Sequence, residues 1–221
     1  MEKIKTLLEY LKIKSILNTL ERDETIEEFI ANCERGDWLM RLAYSLEIDN
    51  RKLILAKGLC AQTISEMLLD KRSIYAIDTA INFGNHLVDE QELKNAALLA
   101  YSAYRDAEFE YRKDADFFGG AGSAHLAFYS TAVAAAASTV DSKIWIKNGT
   151  YSDDIEANYV LVLQSTTADL TAEAVALDAI VPGVNDDSFI NIARKANLER
   201  TAEICRNQIG QLLINAARCF N

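Results

Sequence analysis

A single proline, Pro182, interrupts this chain of 221 residues, and glycine occurs only nine times. That scarcity of backbone breakers narrows the fold more than any other feature. All-β proteins turn often, and their turns draw on Gly and Pro. Long breaker-free stretches rich in Ala favour helices instead. Half of the residues are apolar, so a chain of this length can bury a core without disulfides or metals. The expected architecture is all-α: one domain over residues 1–221, built as a multi-helix bundle or α-α stack of eight to nine helices.

Caps and apolar spacing mark the expected elements. A first helix is predicted over 2–20, with Ile4, Leu7, Leu8, Leu11 and Ile16 near helical spacing. Asp23, Asp37, Asp49 and Asp89 each precede an apolar-periodic segment and read as N-terminal signals. The segment after Asp49 is expected to stay helical to about Leu69, with Leu53, Ala56, Leu59, Cys60, Thr63 and Met67 on one face. The next helix contains Ser73 and is expected to end at Gly84 in the left-handed region. The one after Asp89 carries the stripe Leu93, Ala96, Ala97, Ala100, Ala103, Tyr104 and Ala107, and is expected to reach Lys113. A break is expected at 117–122, then an Ala-rich helix over 123–140. Residues 143–151 include Ile144, Trp145, Ile146 and Asn148-Gly149, a hairpin signal without a partner strand, and read as a loop or short extended segment. A long helix over 153–181, stopped by Pro182-Gly183, and one or two helices over 187–217 complete the chain.

No apolar core with a small-residue cleavage site occurs near the N-terminus, so no signal peptide is expected. The most apolar run, 126–140, is too short to span a bilayer. Cys33, Cys60, Cys205 and Cys219 are widely spaced and form no CxxC pair. They read as reduced thiols of a cytoplasmic protein, most of them buried.

The net charge of −10 is unevenly placed. Residues 114–193 hold 11 acids against Lys143 and Lys147 alone, and residues 148–193 contain no Lys or Arg. Residues 194–221 reverse the sign, with five basic and two acidic residues. The base-free stretch reads either as a solvated face or as a docking patch for a basic partner. Direct nucleic-acid binding is not expected, because that affinity comes from Lys and Arg on phosphates.

Motifs for chemistry are missing. His86 and His125 are the only histidines, and neither has Cys or Glu at metal spacing. No HExxH or ExxH occurs. Gly119-Gly120-Ala121-Gly122 lacks the Lys-Ser/Thr of a P-loop and a preceding strand. The acidic pairs Asp153-Asp154 and Asp186-Asp187 stand outside any DDxxD or calcium-loop pattern. No catalytic residue, cofactor or metal is expected.

Several blocks occur in a recognisable order. Cys33, Asp37, Trp38 and Leu39 come first, then Lys57-Gly58-Leu59-Cys60-Ala61, then Arg72, Ala76 and Ile77. Ala- and Tyr-rich helices follow, and Glu199-Arg200 leads into Cys205-Arg206. This order resembles a family of bacterial immunity proteins of polymorphic-toxin and contact-dependent systems, over residues 33–140 and 199–213. The resemblance implies a helical cytoplasmic protein that binds and silences a cognate protein toxin without chemistry of its own. An acidic surface suits a nuclease toxin with a basic groove. Asp153, Asp154, Glu156, Asp186 and Asp187 are the expected partner contacts. The alternative is a helical scaffold or adaptor for another protein or peptide. Whatever the family, Cys33, Trp38 and Leu39 are expected core anchors, Asp37 an N-cap, and Arg72 is expected to pair with a carboxylate inside the bundle.

Overall fold

Five of the described helices start at a side chain that accepts from the free N–H groups of the first turn: Thr25, Asp49, Asp70, Asp89 and Thr166. In the computed structural model the described residues are 3–18, 20, 24–118, 166–179 and 187–219. Among them are nine α-helices and one 3-10 turn, with no strand beyond an isolated bridge between Lys3 and Thr25. The all-α, multi-helix expectation holds.

Helix α1 (Ile4–Tyr10) is short, and α2 (Lys14–Leu17) follows after a break. The single helix expected over 2–20 is therefore two pieces. Lys12 takes a left-handed conformation, φ 57°. The interruption lets Leu7 and Leu8 on one piece and Ile16 on the other reach the same core. Helix α3 (Ile26–Asn32) opens with a reciprocal capping box between Thr25 and Glu28. Thr25, not Asp23, is the cap; Asp23 lies outside the described residues.

Helix α4 (Gly36–Ser45) corrects a second expectation. Arg35 occupies the N-cap position, and Asp37 lies inside the first turn with its side chain buried. Helix α5 (Asn50–Gln62) is capped by Asp49 as expected, through Lys52 N. It stops before Leu69, however, at Thr63, whose hydroxyl donates back to the Cys60 carbonyl. The 3-10 turn Ser65–Met67 continues the chain.

Helix α6 (Lys71–Gly84) is capped by Asp70. Gly84 is still helical, and the left-handed residue is His86, φ 60°, two positions later. Glycine is required at 84 for closeness instead: a Cβ there would lie 2.4 Å from the Leu55 Cβ of α5. Helix α7 (Glu90–Phe118) starts at Asp89 as expected and runs past Lys113, so Phe117 and Phe118 are helical and not part of a break.

Helix α8 (Thr167–Asp178) has its own capping box, Thr166 with Asp169. Thr166 is extended, so no continuous helix runs from 153 to 181. The helix ends at Asp178, three residues before the expected end at 181. Helix α9 (Asp187–Arg218) is one helix, not a pair. The expected glycine-rich stretch at 119–122, the helix over 123–140 and the loop over 143–151 lie outside the described residues.

Packing follows the apolar stripes. All seven predicted stripe residues of α7 are buried. Helix α9 presents Leu198, Ala202, Cys205, Ile209, Leu213 and Ala217 to the core at helical spacing. It packs on α8, α4, α5 and α3, while α5 packs most extensively on α6. Leu53 to Gly58 of α5 are buried without interruption, so this helix is enclosed all round. It contributes Leu53, Ala56 and Cys60 to the main cluster, Ile54 to a second, and Ala61 to a third. Between α4 and α9 the approach is closest at Gly36, where a Cβ would lie 2.7 Å from the Thr201 backbone carbon.

Candidate functional site

The first polar cluster forms where the N-terminal turns of α4 and α8 meet. Arg35 donates two bonds of 2.7 Å to the two oxygens of Asp37, a fork matched to a carboxylate. The Arg35 guanidinium also lies 5.1 Å from the Trp38 ring, and Trp38 stacks on Phe29 with 6.4 Å between centroids. Opposite, Asp169 Oδ2 accepts from Thr166 N, Thr166 Oγ1 and Arg41. The Asp169 carboxylate is near enough for its charge to act on Asp37.

Asp37 is 2% exposed. Burial raises its carboxyl above the usual range, and the Asp169 charge adds to this, while Arg35 opposes both. Burial wins because solvent loss acts on the whole carboxylate, whereas the half-exposed Arg35 remains partly screened. Arg35 is held more firmly in its charged form by the same pair. The Arg41–Asp169 pair fastens α4 to α8.

Arginines join the other helices in the same way. Arg51 donates to the Phe83 carbonyl at 2.6 Å and lies 3.9 Å from the Phe83 ring, joining α5 to α6. Arg72 bridges Asp70 and Asp106, joining α6 to α7 as the expected carboxylate pairing. It is half-exposed at the bundle edge, not internal, and it holds Asp70 below the usual carboxylate range. Arg194 reaches Glu173, Arg218 reaches Glu27, and Arg206 donates to the Cys33 carbonyl. Arginine suits these places because its planar fork meets a carboxylate or carbonyl at fixed geometry.

Cys33, Cys60 and Cys205 are buried and free, and Cys219 is exposed and free. Burial pushes the Cys33 thiol up to about 12. It pushes Cys60 well above the usual value, with Cys205 beside it contributing. Cys33 and Cys60 are therefore packing thiols and poor nucleophiles. Cys33 and Leu39 are core residues, and Trp38 packs against that core partly buried. His86 is exposed on a left-handed turn, and His125 lies outside the described residues. Among the described residues no group of three His, Cys, Asp or Glu side chains could hold a metal ion. No described helix is long and apolar enough to cross a membrane.

Of the expected partner contacts, Asp153, Asp154, Glu156 and Asp186 lie outside the described residues. Asp187 is the first residue of α9. Within the base-free stretch, Asp169 and Glu173 are tied to Arg41 and Arg194. Asp178 differs from both. It is exposed in the last turn of α8 and has no ion pair among the described residues. An acid at a helix C-terminus sits against the dipole.

Sequence reasoning drew the helix of Asp178 too long, to 181. It also missed the pairing of Arg41 with Asp169, 128 positions apart. Lys57, a charged residue inside the apolar run Leu53 to Cys60, was the visible sign of an unusual position.

A scan against protein-family models finds no match to this chain, and neither a search of curated proteins nor one of solved structures finds any.

Proposed function

We propose that this chain is an immunity protein, a helical binder that neutralises a cognate protein toxin by covering it and not by chemistry. The observation that carries this reading is the pattern of paired and unpaired charge around α8. Asp169 and Glu173 face arginines of neighbouring helices, whereas Asp178 is left exposed at the unfavourable end of its helix. Asp186 and Asp187 follow within nine positions in sequence. A charge kept where local stability disfavours it is a sign of use elsewhere.

An acidic patch of this kind raises the encounter rate with a basic protein and selects for its sign. Asp153, Asp154, Glu156, Asp186 and Asp187, now with Asp178, are the proposed contacts. The patch would face a basic groove, as on a nuclease, and would compete there with the substrate.

The test is co-expression with the product of the directly adjacent upstream gene. The proposal expects that product to arrest growth alone, and growth to recover with a stable complex when this chain is present. Arrest that persists, with no complex, rejects the immunity reading and favours an adaptor for another partner.

A further inference from the structure

Phe189 and Ile192 are 58% and 65% exposed, and among the described residues of α9 they are the only large apolar side chains left in solvent. Three positions apart, they are neighbours on one face of the helix. Leu198, a core residue, comes nine positions after Phe189, about two and a half turns, so Phe189 faces away from the stripe that α9 buries. Further along, the outward positions at helical spacing are polar, at Glu199, Glu203 and Asn207. Core packing therefore does not explain the two apolar side chains at the start of the helix.

Their surroundings carry one sign of charge. Both residues belong to the stretch 148–193, which has no Lys or Arg. Helix α8 runs antiparallel to α9: Ala168 shares the main core cluster with Ala202 and Cys205, while Glu173 pairs with Arg194 at 2.8 Å. The end of α8 that carries the exposed Asp178 therefore lies beside the start of α9, and Phe189 is preceded in sequence by Asp186 and Asp187. The first cations along α9, Arg194 and Lys195, are taken by Glu173 and Glu199. The next one, Arg200, stands eleven positions beyond Phe189, about three turns. An exposed apolar pair with a charged rim has the anatomy of a protein interface, in which the centre loses its water and the rim selects the partner's sign.

We propose that Phe189 and Ile192 are the apolar anchors of the toxin interface, docking into an apolar spot flanked by Lys and Arg on the basic partner. The inference rests on the immunity reading and divides the work within it. The acids set how fast the partner arrives, and the two apolar side chains set how long it stays. Large side chains that lose their water at the centre of a contact carry most of its binding energy.

The test measures association and dissociation rates of the full chain with the product of the adjacent upstream gene. Wild type is compared with the double variant Phe189→Gln, Ile192→Gln and with Leu98→Gln, which changes an apolar residue of α7 that is 59% exposed. Glutamine is a good helix former and adds no charge, so α9 and its field are kept. The expected result is a dissociation rate raised about tenfold or more in the double variant, with its association rate and salt dependence unchanged and with wild-type rates for Leu98→Gln. A wild-type complex that forms, with a double variant that leaves it no faster, overturns the anchors alone, as does equal weakening by Leu98→Gln. No complex with the wild-type chain overturns the immunity reading and the anchors with it. Should the double variant lose helical content, the single Phe189→Gln change decides on the same two rates.

Discussion

At Asp37 two effects of opposite sign meet on one carboxyl. Burial favours the neutral form, and the Arg35 fork favours the charged one. Because the folded carboxyl lies above its usual range, the folded chain holds this proton more tightly than the unfolded chain does. Ionisation then opposes folding, so this contribution to stability is present at low pH and is lost as pH rises through the folded value. Asp37→Asn, which cannot ionise, is predicted to gain stability relative to wild type as pH climbs from the acid side to neutrality. Urea unfolding at a series of pH values reads this directly, and a slope of the opposite sign would mean that the ion pair outweighs burial. Glu27 and Asp70 behave in the reverse sense. Their arginine partners hold them below the usual range, so their contribution fades as pH falls. Gly36 is a steric case. A methyl group there meets the Thr201 backbone, which cannot swing aside as a side-chain tip can. Gly36→Ala is predicted to destabilise by about 2 kcal/mol, the usual scale of an overpacked core, in the same urea assay. None of this was legible beforehand. Asp37 matched the pattern of a cap, and its burial depends on α9 and α8, which arrive from far along the chain.

At the scale of the element, the sequence was most readable where one face decides. The α7 stripe was foreseen residue by residue because a 3.6-residue period of Leu, Ala and Tyr has only one way to be buried. Ends were harder. Gly84 offered a left-handed stop, but Leu55 needs its missing side chain for contact, and the turn moved on to His86. The break after Leu11 carries no Gly or Pro and is imposed by tertiary packing. The start of α8 was hidden inside an apolar run, although Thr166 and Asp169 have the spacing of a capping box. That box has a measurable role. Thr166→Ala removes the acceptor for Asp169 N and one donor to Asp169. It is predicted to cost about 1 kcal/mol, with amide-exchange protection falling first in α8. Loss of protection spread evenly over all helices would argue against a local cap.

For the whole molecule, α5 is the common element of the three apolar clusters. A defect in it should be felt everywhere at once. Ile54→Ala is predicted to lower stability by about 3 kcal/mol, with far-UV and near-UV transitions still coincident. Separated transitions would show that the clusters unfold independently. The helix class was legible from composition and breaker scarcity. The arginine fastenings were not, since their partners lie as much as 191 positions apart. The proposed function rests on charge imbalance and family resemblance, together with the contrast between Asp169 and Glu173, which are ion-paired, and Asp178, which has no ion pair among the described residues. The proposed immunity role requires that the acidic residues of the base-free stretch 148–193 draw in a basic partner. It is tested most directly by the association rate with the neighbouring gene product across a range of salt concentrations, for wild type and for a variant with Asp153, Asp154, Glu156, Asp186 and Asp187 all changed to Ser. The account predicts a slower rate and a flatter salt dependence for the variant, with its helical content intact. An unchanged rate and an unchanged salt dependence in a folded variant would contradict it.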